Sequence, residues 1–150
     1  MYTGAGPPTP AGTTVTESLS IPHATTGVRL ARHALADGMD AAGVTGVERD
    51  DAILVLSELV SNSVKHADAL PTGEIAVRWA LAPDSLHLEI TDGGAPTLPR
   101  VGVAALSALG GRGLDIVRTI CRRWGVSEGA QGVTVWADVP RPGRRGVVAD

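Results

Sequence analysis

The sequence predicts an α+β domain, a two-layer sandwich in which helices cover one face of a mixed, mostly antiparallel sheet. Three observations predict it. Residues 47–67 carry apolar side chains at helical spacing. Ile75, Val77, Trp79 and Leu81, followed by Leu86, Leu88 and Ile90, alternate with the period of strands. The elements run β, α, α, β, β, a long connection, α, β, β, within 150 residues, a length that suits one domain.

Each element has its own local warrant. Residues 1–14 (MYTGAGPPTPAGTT) lack periodicity and are expected to form a mobile tail; residues 15–139 form the domain proper, and 140–150 a second tail. Val15 to Ile21 suits a strand, which Pro22 ends. Ala24 to Met39 reads as a helix, with Val28, Leu30, Ala31 and Leu35 apolar. Thr45 or Gly46 caps the next helix, whose early residues Glu48, Asp50 and Asp51 are acidic. On that helix Ile53, Leu56, Val60, Val64 and Ala67 are expected to form the core stripe, with Leu54, Val55 and Leu59 outside it. Glu58, Asn62 and Lys65 lie on the opposite side.

Ala82-Pro83-Asp84-Ser85 has turn chemistry, so the two alternating runs form an antiparallel hairpin. Residues 95–110 hold two prolines and no clean period, the pattern of a functional or mobile connection. Gly110-Gly111-Arg112-Gly113 opens a helix, with Leu114, Val117, Cys121 and Trp124 at helical spacing and an end near Gly125. Strands around residues 126–128 and 133–139 close the domain.

Composition narrows the function classes. Apolar residues make up 43% and charged ones 19%, the balance of a globular chain. Thirteen Lys and Arg against sixteen Asp and Glu give a net charge of −3, which argues against a broad nucleic-acid surface. The single cysteine, Cys121, cannot form an internal disulfide, and no CxxC or Cys/His cluster suggests zinc. No transmembrane run and no signal-peptide pattern is visible, so a soluble cytoplasmic protein is the expectation.

Three elements converge if the sheet closes as ordered. Glu58 and Asn62 stand one turn apart on a single helix face. Asp92-Gly93-Gly94 ends a strand. Gly111 and Gly113 frame a helix N-terminus. Each suits part of a nucleotide. Backbone N–H groups at a glycine-opened helix start favour phosphate. A strand-end carboxylate accepts a hydrogen bond from an exocyclic amine, which adenine has where guanine has a carbonyl. An Asn oxygen suits Mg²⁺ that keeps water and phosphate as its other ligands. A nearby Glu can accept a proton.

The strings SELVSNSVKHA (57–67), ITDGGAP (90–96) and GGRGLDIVRTI (110–120) resemble the three motif boxes of the GHKL ATPase/kinase superfamily. The likeness is greatest to its stand-alone branch, the anti-sigma-factor serine kinases and their actinobacterial relatives. It spans about residues 15–139, including the closing strand GVTVWADVP. The resemblance implies the Bergerat ATP-binding fold, with Asn62 holding Mg²⁺ and Glu58 as the base. It also implies that Asp92 contacts the adenine amino group and that Gly94 lets the chain pass close to the base. Gly111, Arg112 and Gly113 would frame the triphosphate, with residues 95–110 as the ATP lid. Lys65 and His66 match basic positions that lie near phosphates in some relatives; a solvated helix end is the other reading. One departure stands out: the usual D-x-G-x-G reads D-G-G-A-P, so Pro96 replaces the second glycine and stiffens the lid's first hinge.

The resemblance implies an ATP- and Mg²⁺-dependent serine/threonine protein kinase that phosphorylates a small STAS (anti-anti-sigma) protein. A sigma factor would be its other partner, and a homodimer is plausible. The alternative is a nucleotide-dependent binding module that transfers nothing. Cys121 is expected to pack in the core, Trp79, Trp124 and Trp136 to pack in the core or at an edge, and His23, His33 and His87 to lie at the surface or at helix starts.

Overall fold

The structure, a computed structural model, describes residue 12 and residues 15–94 and 111–141. Both proposed tails except Gly12, Pro140 and Arg141, together with the expected lid and Pro96, lie outside the described residues. Strand β1 (Val15–Pro22) leads into helices α1 (Thr25–Ala41) and α2 (Gly46–His66). Strands β2 (Glu74–Leu81) and β3 (Ser85–Asp92) form the hairpin, and α3 (Gly111–Ile120) precedes β4 (Arg123–Glu128) and β5 (Val133–Pro140). Among the described residues, no helix is long and apolar enough to cross a membrane.

The five strands lie in the order β1-β2-β3-β5-β4, and every pairing is antiparallel, more uniform than the mixed sheet expected from sequence. Register puts the alternating apolar residues in line. Trp79 faces Leu88, which faces Ala137; Val77 faces Ile90, which faces Val135. These side chains join one core with Ala31, Leu35 and Met39 of α1, placed at four-residue spacing. Helix α2 packs against α1, α3, β3 and β5, so it runs through the middle of the helical layer. The central strand β3 ends in Asp92, against the end of α2.

Three sequence expectations need correction. On α2 the buried residues are Ala52, Val55, Leu56, Leu59, Val60 and Ser63, not the stripe through Ile53 and Val64. Val55 and Leu59 are in the core, while Ile53 and Val64 are only partly buried. The true stripe is equally regular, but a small Ala52 and a polar Ser63 disguise its ends. Trp124 belongs to β4, not to the preceding helix. The last helical bond runs from the Cys121 N–H to the Val117 carbonyl, and the Arg122 N–H then donates to Asp138 of β5. Cys121 packs against the core; burial, aided by Asp138 and Asp51, pushes its thiol pKa up to about 12.

His87 is the third correction. It is 1% exposed on β3, on the sheet face opposite the Leu88 row. Its Nδ1 lies 2.7 Å from Asp138 Oδ1 and its Nε2 lies 3.0 Å from Glu89 Oε2. Ionised carboxylates only accept, so both ring nitrogens donate and the ring is a cation. Arg123 holds the other Asp138 oxygen at 2.8 Å, and Arg78 holds Glu89 at 3.2 Å. A chain of alternating charge thus crosses β2, β3, β5 and β4.

Burial works against the charged ring, but Asp138 and Glu89 outweigh it and raise the His87 pKa above 6.5. The His87 bond holds Glu89 below its ordinary range. Burial opposes ionisation of Asp138, yet the bonds to His87 and Arg123 hold it low as well. The ring's contribution is therefore complete below pH 6.5 and fades as pH rises through its raised value; the carboxylates' contribution fades only in acid. His87→Gln is expected to cost about 2 kcal/mol near pH 6 and progressively less at higher pH. Urea unfolding of both chains from acid to alkaline pH checks this; a difference independent of pH would mean that the ring is uncharged.

Candidate functional site

The end of β3 and the end of α2 are locked together. Ser63 is the last buried residue of α2, and its hydroxyl donates to Asp92 Oδ2 at 2.5 Å. The Gly94 N–H donates to Asp92 Oδ1 at 2.8 Å. Just past α2, the Asp68 N–H donates to the Gly94 carbonyl and the Gly93 N–H donates to the Asp68 carbonyl, both at 2.8 Å. The glycines are what permit this. A Cβ on Gly93 would lie 2.3 Å from the Ala69 carbonyl oxygen, and Gly94 has φ +82°.

Asp92 is only 4% exposed. Burial raises its pKa above the ordinary carboxylate range, and the Ser63 and Gly94 donors and nearby His23 offset part of that rise. Each of its oxygens already accepts one hydrogen bond and retains capacity for a second. An exocyclic amine meets a partner there. A carbonyl oxygen meets only another acceptor.

Glu58 and Asn62 lie one turn apart on α2, both half-buried, at the border between the core stripe and the outer face. Lys65 and His66 are exposed in the last turn of α2, where positive charge suits the negative end of the helix. Gly111, Arg112 and Gly113 form the first turn of α3, which packs against α2. The structure thus joins Asp92 and Gly94 directly to α2, and brings α3 to the same helix. The exposure of Lys65 and His66 leaves both readings of that pair open.

Sequence reasoning gave no role to three residues that build this geometry. Ser63 sits beside Asn62 in the string SNS; the only signal was a polar residue continuing an otherwise apolar i, i+3, i+4 stripe. Gly93, named within the Asp92-Gly93-Gly94 element, holds the variable position of its motif and carries no role there. His23, expected at a helix start, instead places Nε2 at 2.7 Å from the Ala67 carbonyl and 3.2 Å from that of Ser63.

A match to the histidine kinase-like ATPase domain covers residues 21–138. The chain belongs to that family. The fold is the one that the GHKL resemblance implied, and the matched segment contains Glu58, Asn62, Asp92, Gly94, Gly111 and Gly113. Among curated proteins no match was found. Among solved structures, the chain is similar to the RsbU and RsbW domains of Rv1364c from Mycobacterium tuberculosis, with a TM-score of 0.62 at 22% identity. That alignment covers 86% of this chain and 34% of the other, so this chain spans about a third of its structural neighbour.

Proposed function

We propose that this ATPase-family domain is a Mg·ATP-dependent serine/threonine kinase of the anti-sigma type, whose substrate is a small STAS protein and whose second partner is a sigma factor. The observation that carries the reading is the buried Asp92 carboxylate, held by Ser63 and Gly94 and tied to the helix that bears Glu58 and Asn62. Asp92 would receive the adenine amino group, with Gly93 and Gly94 keeping the backbone thin beside the base. The N-terminal turn of α3, opened by Gly111 and Gly113, would offer N–H groups to the phosphates, with Arg112 beside them. Lys65 and His66 would add positive charge near the phosphates.

Asn62 offers Mg²⁺ a neutral oxygen, and the ion's other ligands would come from phosphate and water. When bound, the ion neutralises charge on the transferring phosphoryl group. Glu58 would take the proton from a partner Ser or Thr hydroxyl as its oxygen bonds to the γ-phosphorus and the bond to the β-phosphate oxygen breaks, leaving ADP.

Labelled ATP incubated with candidate STAS proteins tests the reading: label on a partner Ser or Thr supports it. The second reading is a binding module that uses nucleotide to set its shape, and Pro96 in place of a lid glycine favours it. Mg·ATP binding without transfer to any partner would decide for that module. Asn62→Ala is expected to abolish the Mg²⁺-dependent part of ATP affinity while leaving metal-free binding unchanged. Calorimetry with and without EDTA reads the two parts separately.

A further inference from the structure

Helix α2 ends without the usual device. Its C-cap, Ala67, is extended at φ −121° and ψ 162°, so no left-handed glycine folds back to satisfy the last carbonyl groups. The Ala67 N–H closes the last helical bond on the Ser63 carbonyl at 3.1 Å, and a further partner comes from elsewhere in the chain. His23, in the junction between β1 and α1, lies 40 residues before Ser63 and 44 before Ala67 and is half-buried. Carbonyl oxygens accept only, so His23 Nε2 carries a proton and shares it between Ala67 at 2.7 Å and Ser63 at 3.2 Å. The ring is not used by its own helix, whose N-cap is Ala24 and has no side-chain cap bond.

The two carbonyl groups belong to the residues that bracket the adenine-side contacts. Ser63 carries the hydroxyl bonded to Asp92 Oδ2. Ala67 immediately precedes Asp68, whose N–H and carbonyl pair with Gly94 and Gly93. We infer that His23 is a positioning residue for purine recognition: by fixing the last turn of α2 from outside, it keeps the Ser63 hydroxyl on Asp92 and the 68–94 bridge closed. This rests on the reading that Asp92 receives the adenine amino group. Without the imidazole, the Ala67 carbonyl loses its His23 donor and the final turn is held by the Ala67 N–H on the Ser63 carbonyl alone, so the turn loosens and the Asp92 carboxylate loses a fixed orientation. A recognition site tolerates only about 0.5 Å of such play. Purine selectivity should therefore suffer more than overall stability.

The test is calorimetric binding of Mg·ATP and Mg·GTP to wild type, His23→Ala and His23→Gln, with thermal melts of each. The Gln amide nitrogen reaches nearly as far as Nε2 and donates, so it should restore what Ala removes. The expected result is a clear ATP preference in wild type and in H23Q. In H23A, ATP affinity should fall about tenfold, the scale of one lost hydrogen-bonded anchor, with GTP affinity little changed. If H23A does not fold, His23→Asn replaces it, because its shorter amide cannot span to Ala67. A double variant with Ser63→Ala should show that the two losses do not add, because they act on the same contact.

An unchanged ATP-to-GTP ratio in H23A (or H23N, where that stands in for it), whatever the melting temperature, would reduce His23 to a stabilising cap and overturn the inference. So would an H23Q chain that behaves like H23A, or fully additive losses in the double variant. If wild type itself shows no preference for ATP, the adenine reading of Asp92 falls and takes this inference with it. That outcome is visible before any His23 variant is made.

Discussion

Glu58→Gln is expected to slow phosphate transfer to a partner by about 10²-fold or more while leaving Mg·ATP affinity within a few-fold, the usual signature of a lost general base. The substitution keeps the side chain's size and hydrogen-bonding reach and removes only its capacity to take a proton. Glu58 is half-buried on α2, outside the core stripe that runs through Leu56, Leu59 and Val60, so the exchange leaves the packing intact. Asn62 lies one turn further on, and a distorted helix would damage both positions together. A melting curve and an ATP titration on the same preparation separate the two causes. Full transfer by Glu58→Gln would remove the base assignment. Equal Mg·ATP binding by both chains, with no transfer by either, would leave the binding module as the function.

The parts of the fold that are legible in sequence are those whose signal is local. The β2–β3 hairpin follows from seven alternating apolar residues around a Pro-Asp turn, and the structure pairs them as the alternation requires. The existence of α2 is equally local, but its rotation is not. Two overlapping stripes, one through Ile53 and Val64 and one through Val55 and Leu59, are both regular. Contacts with α1, α3 and the sheet choose between them. Trp124 fits a helical step from Cys121 and a strand step to Val126, and pairing with Ala137 decides for the strand.

The site shows the same division. Asp92, Glu58, Asn62 and the glycines stand out as candidates because each belongs to a short motif. Ser63 and His23 do not, because the partner of the first lies 29 residues away and those of the second 40 and 44. His87 was misread for the same reason. An isolated polar residue on an alternating strand looks exposed until Asp138, 51 residues on, is placed beside it.

Asp92→Asn should produce the largest change in nucleotide binding. The carboxylate is nearly fully buried and accepts from Ser63 and Gly94, and both donors remain when it is replaced. An amide has one accepting oxygen, which the Gly94 N–H claims; its NH₂ then lies against the Ser63 hydroxyl, which turns to accept, and presents adenine's amino group with a donor in place of an acceptor. Opposing two buried donors at the adenine contact costs about 1–3 kcal/mol, in addition to the hydrogen bond that is lost there. ATP affinity is therefore expected to fall by about 10²-fold, while GTP, whose carbonyl oxygen can accept from the new NH₂, should lose much less. Acid should imitate the substitution. Burial holds the Asp92 pKa above the ordinary carboxylate range, so its proton returns at a higher pH than on a surface aspartate, and ATP affinity should decline through that raised value. Calorimetry of both nucleotides across the acidic range, on wild type and Asp92→Asn, tests the two claims together. The wild-type preference for ATP should shrink as pH falls, and the variant's affinities should lack that titration. Equal affinity of wild type for ATP and GTP at neutral pH would place the adenine amino group somewhere other than Asp92.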